Sequence, residues 1–513
     1  MRADAPKDPV RHYSSAAASS RMKWLLVACV FLGLALRAIE AHGKSLWLDE
    51  LHTLFLADSG SLGEIVDKVR PDFHPPLFFW VLSLLREVDA HSQRCLPILL
   101  SMLTLLPLWS IAKQGGLGQL ARVSLCGVFL FAPYQIQYGS ELRSYSALQL
   151  VSVLLVWAAL TSRARPRTRI LTFGIVTAVG LYLHYFTAVT VVSVGIARCY
   201  MRPHGSLPLK VLVLSGTIGV ALFLPWILEA ESWMVTNPDQ ILSWKVVPDR
   251  AASHVWLHSL QVGAQVPARM LVPVMASLGE PSASLIRIAA ALLFAAVGVL
   301  ALSIARRAPQ RSMPAGIEVM QAALLVSFVA YAVALALCLI LWKRVPLQYF
   351  MVASWGWPLF IGMGVHCMRR DRLANGVAAV VLLAGFVSGL CHALGASRED
   401  IEAGVRAALS VGQGRDAVYS AVLKQPVHYP HVMPWRYSAD AATSSGLDVR
   451  EPYEVPAGNA PGGQRPVIVV TRKSDPEGPR AIKSLWGSIL GGRQLVETLE
   501  IDSATRVYVF ETR

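Results

Sequence analysis

The stretch HPPLFFWVLSLLREV, His74 to Val88, decides how the chain is laid out. Read as a membrane crossing, it inverts every loop that follows; read as a helix lying in the interface, it leaves them in place. Its apolar run stops at Arg86, Glu87 and Asp89, whereas a crossing helix needs about 20 mostly apolar residues. Pro75 or Pro76 suits the first turn of a short helix, with Phe78, Phe79 and Trp80 expected to reach into the lipid boundary.

Charge decides between the two readings. Short loops carry Arg163, Arg165, Arg167 and Arg169, then Arg306, Arg307 and Arg311, then Arg369, Arg370 and Arg372. With 74–88 at the interface, all of them fall on the side of the N-terminus, as cytoplasmic loops should. Segment 42–93 then faces outward with eight acidic and four basic residues. Counting 74–88 as a crossing violates the positive-inside rule repeatedly.

The remaining apolar segments number about eleven on this topology: 22–41, 95–112, 119–135, 144–162, 170–184, 186–201, 210–228, 284–304, 318–342, 348–368 and 374–396. The chain of 513 residues is 54% hydrophobic and 16% charged, against about 25% charge in a soluble domain. It reads as an all-α polytopic membrane protein. Its net charge of +14 belongs to loops between spans, so a nucleic-acid partner is not expected. The first span is too long for a signal-peptide core and lacks a small-residue cleavage site; its N-terminus is placed inside, behind a disordered cytoplasmic tail, 1–21.

Residues 22–396 form the expected transmembrane domain. The tail 397–513 changes character: PVIVVTRK (466–473) and RVYVFETR (506–513) read as strands, PRAIKSLWGSIL (479–490) as a short helix. A small extracytoplasmic α/β domain is expected there. The seven cysteines lie in or beside apolar spans and read as packing residues rather than a disulfide or metal framework. His428 and His431 in the tail carry no metal-site spacing of this kind.

The outward loops gather chemistry on one side of the bilayer. SLWLDELHTLF (Ser45–Phe55) places Asp49 and Glu50 at the mouth of a span, where ionic groups are costly unless used. His74 closes the polar part of the same loop. QIQYGSELRS (135–144), read as a second outer loop, brings Glu141 and Arg143, with Tyr145 just beyond it. His184 and Tyr185 occupy the corner at 184–186; Lys343 and Arg344 occupy a later one, followed by Tyr349. A carboxylate can deprotonate an acceptor hydroxyl or amine, and cations can stabilise a departing phosphate. Together they suit a sugar carried on a polyprenyl phosphate. No Gly-rich nucleotide loop is present. Each feature also has a plainer reading. The carboxylates can end a solvated loop, His74-Pro-Pro can simply start a helix, Glu141 and Arg143 can form a loop ion pair, and His184 and Tyr185 can belong to an aromatic belt.

The quoted runs LWLDE (46–50), DFHPPLFFW (72–80), RCLPILLSMLTLLPLWSIAKQGG (94–116) and APYQIQYGSELRSYSALQL (132–150) resemble the membrane glycosyltransferases of the GT-C class. They are most similar to the family 39 group, which includes protein O-mannosyltransferases and lipid A aminoarabinose transferases. The resemblance covers roughly residues 22–200. It implies inverting transfer from a polyprenyl-phosphate sugar to a lipid, glycan or protein acceptor, without a cofactor. Asp49 is then the base, Glu50 its support, and His74 matches the family's His-Pro-Pro element. Many relatives carry an Arg-Tyr pair entering a late span; Gln348-Tyr349 stands there in this chain, with Lys343 or Arg344 as substitutes. The implied location is the cytoplasmic membrane, with the active face outside. The alternative is a transporter or flippase for lipid-linked sugars, which calls for ionisable residues at mid-span depth; the spans hold almost none.

Overall fold

The computed structural model describes residues 9–70, 74–161, 164–236, 316–338, 347–368, 371–395, 418–422, 467–472, 494–500 and 505–511, with the isolated positions 403 and 407. Along these residues the helices are α1 (Pro9–Gly43), α2 (Leu48–Ala57), α3 (Leu62–Val69), α4 (Leu77–Ser83), α5 (Ala90–Gln93), α6 (Cys95–Leu103), α7 (Leu105–Gln114), α8 (Gln119–Phe131), α9 (Pro133–Ser140), α10 (Tyr145–Leu160), α11 (Pro166–Leu183), α12 (Thr187–Tyr200) and α13 (Leu209–Thr236). They continue with α14 (Ile317–Leu337), α15 (Met351–Ser354), α16 (Gly356–Cys367) and α17 (Asp371–Ala393). The expected span 284–304 and the tail helix 479–490 lie outside the described residues, as do Lys343 and Arg344.

Among the described residues, five helices are long and apolar enough to cross a bilayer: Ser20–Gly43, Ala90–Gln114, Leu209–Trp233, Ile317–Leu337 and Arg372–Ala393. Two more qualify if each of two bent helix pairs counts as one span. This is a multi-pass membrane protein. α8 and α12 are shorter apolar helices of 13 and 14 residues. α1 extends back to Pro9, so part of the tail expected to be disordered is helical; the alanines at 16–18 favour that extension.

α4 has only seven residues, about 10 Å of helix at 1.5 Å per residue, and cannot cross. Pro76 is its N-cap. The expected lipid-facing aromatics turn out otherwise: Phe78, Phe79 and Leu82 are buried, and Val81, Leu84 and Val88 are the exposed apolar residues. The helical period sets one face inward, and that face holds the two phenylalanines. The second outer loop, 135–144, is also corrected. Pro133 starts a buried eight-residue helix, and only four residues separate it from α10.

The chain divides into two compact units. One comprises Met1–Glu40, Pro97–Ile227 and Asp249–Leu394, the other Ala41–Leu96, Leu228–Pro248 and Gly395–Arg513. The core of the first is the seam where α8, α10, α14 and α16 meet, lined by Leu108, Leu125, Phe129, Leu155, Val326, Trp355 and Leu359. Glycines let these helices approach. A Cβ at Gly356 would lie 1.9 Å from the Ser327 hydroxyl, so only glycine fits.

The second unit contains a four-stranded mixed sheet: β1 (Val418–Val422), β2 (Val467–Arg472), β3 (Gln494–Glu500) and β4 (Thr505–Glu511), in the order β1-β2-β4-β3. β1 and β2 are parallel, with Val418 beside Val467; β4 is antiparallel to β2 and to β3. β2 and β4 are the two strands expected from their alternation of Val, Ile and Tyr. β1 and β3 are additional.

Candidate functional site

Arg94 organises the first part of the site. This buried side chain grips Glu50 with two nitrogens, Nε donating to Oε1 at 2.8 Å and Nη2 to Oε2. The same guanidinium donates to the carbonyls of Ala41 (2.6 Å), Lys44 (2.7 Å) and Ser45 (3.1 Å). Those carbonyls end α1 and begin the turn into α2, where no helical partner exists for them. Glu50 Oε2 also accepts from the Trp47 backbone N–H at 3.2 Å. One ion pair therefore fixes the whole passage from 41 to 50.

That passage delivers Asp49. It sits in the first turn of α2 beside Glu50, where the positive end of the helix dipole favours a carboxylate. Glu50 is fully buried while Asp49 is half-buried. The two neighbours thus differ in kind: Glu50 is bound into the scaffold, and Asp49 reaches toward the surface from it. His52 follows within the same helix, stacked on Phe55 at 6.4 Å between ring centres. His74, half-buried, meets Phe79 edge-on at 6.4 Å. Asp49, Glu50, His74 and Arg94 all belong to the second unit. Asp89, the N-cap of α5, accepts from the Ser92 N–H at 2.9 Å, and its hydrogen bonds with Ser92 hold its carboxyl below the usual range.

The bundle unit holds the other candidates. An unbroken run of rings passes from Tyr134 to Tyr138 (4.7 Å), Tyr145 (5.8 Å), His184 (6.4 Å) and Tyr349 (5.4 Å), with Phe186 against both His184 and Tyr349 at 5.5 and 4.8 Å. Arg143 lies over the Tyr145 ring at 5.8 Å, a cation–π distance. Glu141 accepts from Gln137 at 3.0 Å, which ties the loop carboxylate back to α9. The Nδ1 atom of His184 accepts from the Phe186 N–H at 3.1 Å, which leaves Nε2 as the protonated nitrogen of the neutral ring. Tyr185 turns away from this run: its hydroxyl accepts from Trp226 at 2.8 Å and its ring packs on Phe223. It is 38% exposed, as an aromatic-belt residue would be.

No family model matches the chain, and no curated protein matches it. Solved structures do resemble it, and they are GT-C fold glycosyltransferases. It is similar to ArnT from Cupriavidus metallidurans in the apo state, at 13% identity over 96% of this chain and 98% of that one, TM-score 0.41. It is similar to the Archaeoglobus fulgidus oligosaccharyltransferase tethered to an acceptor peptide, at 12% identity over 80% of this chain and 63% of that one, TM-score 0.44. The arabinofuranosyltransferase AftD from Mycobacteria is matched at 15% identity over 96% of this chain and 41% of that one, TM-score 0.41.

Several residues that shape the site carry little sequence signal. Arg94 opens RCLP and reads as an ordinary charge flanking a span, although its distance from any cytoplasmic loop distinguishes it. Tyr134, Tyr138 and Phe186 read as generic aromatics. Among the described residues no three of His, Cys, Asp and Glu gather as a metal site would require.

Proposed function

We propose that this chain is an inverting glycosyltransferase that moves a sugar from a polyprenyl-phosphate donor to an acceptor hydroxyl or amine on the outer face of the cytoplasmic membrane. The observation that carries the reading is the half-buried Asp49 held beside a Glu50 that is fully committed to Arg94. A base must be both reachable and fixed; the Glu50–Arg94 pair fixes the turn that carries Asp49, and the half-burial of Asp49 leaves it reachable.

The Asp49 carboxylate takes the proton of the acceptor. The acceptor oxygen or nitrogen attacks the anomeric carbon, the bond from that carbon to the phosphate oxygen breaks, and the polyprenyl phosphate leaves with the electron pair. Inversion follows from a single displacement. Cations stabilise the departing phosphate, a role for Arg143 and for Lys343 and Arg344. Each unit supplies candidates of its own: His74 lines the loop that carries the base, and in the bundle unit Tyr145, His184 and Tyr349 present ring faces and polar tips of the kind a sugar uses. No metal is required by this scheme. The N-terminus is cytoplasmic and the tail domain is outside.

The flippase reading receives no support from the one charged side chain deep in the first span. Arg37 donates to Ser101 Oγ and to the carbonyls of Gly33, Leu130, Phe129 and Gln135. It is saturated by protein groups and has no donor to spare for a passing ion.

The test is mass spectrometry of membrane lipids from cells lacking the protein, complemented with wild type or with Asp49→Asn. A polyprenyl-phosphate sugar is expected to accumulate in the null strain and with Asp49→Asn, and to clear with wild type. In the purified protein the substitution should lower turnover by roughly 10²- to 10⁴-fold, the usual share of a general base. Full clearance by Asp49→Asn would remove Asp49 from the chemistry.

A further inference from the structure

Two helix pairs of the bundle unit, each apolar enough together to be one span, are sharply bent. α9 meets α10 at 111°, and the helical segment Leu347–Ser354, which includes α15, meets α16 at 44°. Broken spans expose backbone and side-chain polar groups where no water is at hand, so something in the protein must satisfy them. Here the partners come from the other break. Gln149, on α10, donates to Oε1 of Gln135 on α9 at 2.8 Å and to Oγ of Ser354 on α15 at 2.7 Å. Gln135 donates to the same Ser354 hydroxyl at 3.0 Å. The Tyr134 hydroxyl donates to the Leu347 carbonyl at 2.6 Å, joining the starts of the two segments.

Gln135, Gln149 and Ser354 are all buried. Amides and hydroxyls in an apolar bundle are costly even when paired, and apolar residues of similar shape would pack as well. The bonds are between side chains of three different helices, so none of them is needed to form a helix. What they do is fix one break to the other. The segments they join carry Arg143 and Tyr145 on one side and Tyr349 on the other, and Tyr349 faces His184 and Phe186 across 5.4 and 4.8 Å.

We infer that Gln135, Gln149 and Ser354 form a clamp that holds the two bent helix pairs in register, and so holds Tyr349 against His184. They are positioning residues. Their link to donor binding rests on the function proposed above; the clamp itself does not.

The experiment uses the full chain in detergent and reads two quantities. Hydrogen–deuterium exchange of the peptides covering 133–140 and 347–354 reports the clamp, and titration with undecaprenyl phosphate reports the site. Ser354→Ala and Gln149→Leu should speed exchange in 347–354 roughly ten-fold, the effect of losing one or two net hydrogen bonds. Ser354→Thr, which keeps the hydroxyl, should exchange like wild type. Affinity for undecaprenyl phosphate should fall for Ser354→Ala and be retained for Ser354→Thr. Ser354→Ala removes so little volume that folding is not at stake, even if Gln149→Leu fails to accumulate. Unchanged exchange in 347–354 for Ser354→Ala overturns the clamp. Loosened exchange with unchanged lipid affinity upholds the clamp and overturns its link to the site. A wild-type protein that ignores the lipid counts against the proposed donor, while the exchange data still decide the clamp.

Discussion

The difference between Asp49 and Glu50 is the smallest scale at which the protein can be tested. Adjacent in sequence and identical in charge, they differ in burial: Glu50 is fully buried in a two-nitrogen pairing with Arg94, and Asp49 is half-buried. Glu50→Gln leaves the shape and removes the charge, so the guanidinium is left buried without its counter-ion. Removing one partner of a buried pair typically costs about 3–5 kcal/mol, and a large fall in thermal midpoint is expected in detergent. Arg94→Met should do the same, and the double variant should lose less than the sum, because neither charge is then stranded. Raising salt to high concentration should not reproduce the loss, since the pair is shielded from bulk ions. A nearby exposed carboxylate behaves differently. Asp89 caps α5 and its carboxyl is held low by Ser92, so its folded-state value lies beneath its unfolded one. Its contribution is present above the unfolded value and disappears as pH falls through the folded one. Asp89→Ala should therefore cost about 1 kcal/mol near neutral pH, and the gap to wild type should close as pH falls through the lowered folded-state value, seen in melting curves collected across pH.

Among the helices, buried arginines recur as caps for other elements. Arg94 closes the end of α1, Arg37 takes the last carbonyls of α8, and Arg169 donates to Ala158 and Ala159 at the end of α10. Terminal carbonyls without helical partners carry the negative end of the helix dipole, and a planar five-donor guanidinium can serve several at once. This explains a misreading from sequence. Arg169 looks like one more positive-inside loop charge beside Arg165 and Arg167, yet its side chain is buried. Polarity in QIQYGSELRS misled in the same way: Gln135 and Gln137 find partners inside the protein, so their presence did not mean water. The five long apolar helices were legible because a bilayer demands long apolar runs; the bends were not, because their polar partners are distant in sequence. Two substitutions test the packing argument. Arg37→Met orphans carbonyls at the α8–α9 junction and should lower stability by several kcal/mol. Gly356→Ala drives a methyl into Ser327 and should cost about 1–3 kcal/mol, with much of the loss recovered when Ser327→Gly is added, read by thermal unfolding.

At the scale of the whole chain, everything on the proposed active face depends on the side to which 74–88 returns the chain. A seven-residue α4 ending before Arg86 supports the interfacial reading, and the arginine-bearing loops then share the cytoplasmic side with the N-terminus. The tail sheet offers a clean place to ask. Residues after 400 contain no cysteine, so in a background where the seven native cysteines are replaced, a cysteine at Arg513 is a unique handle. A membrane-impermeant maleimide applied to intact spheroplasts should label Arg513→Cys, while a cysteine at Arg167 should react only after the membrane is opened. The paired result matters because the two positions are separated by α11 and every span after it. Labelling of Arg167→Cys from outside would mean that 74–88 counts as a crossing, and would overturn the assignment of the arginine-bearing loops to the side of the N-terminus.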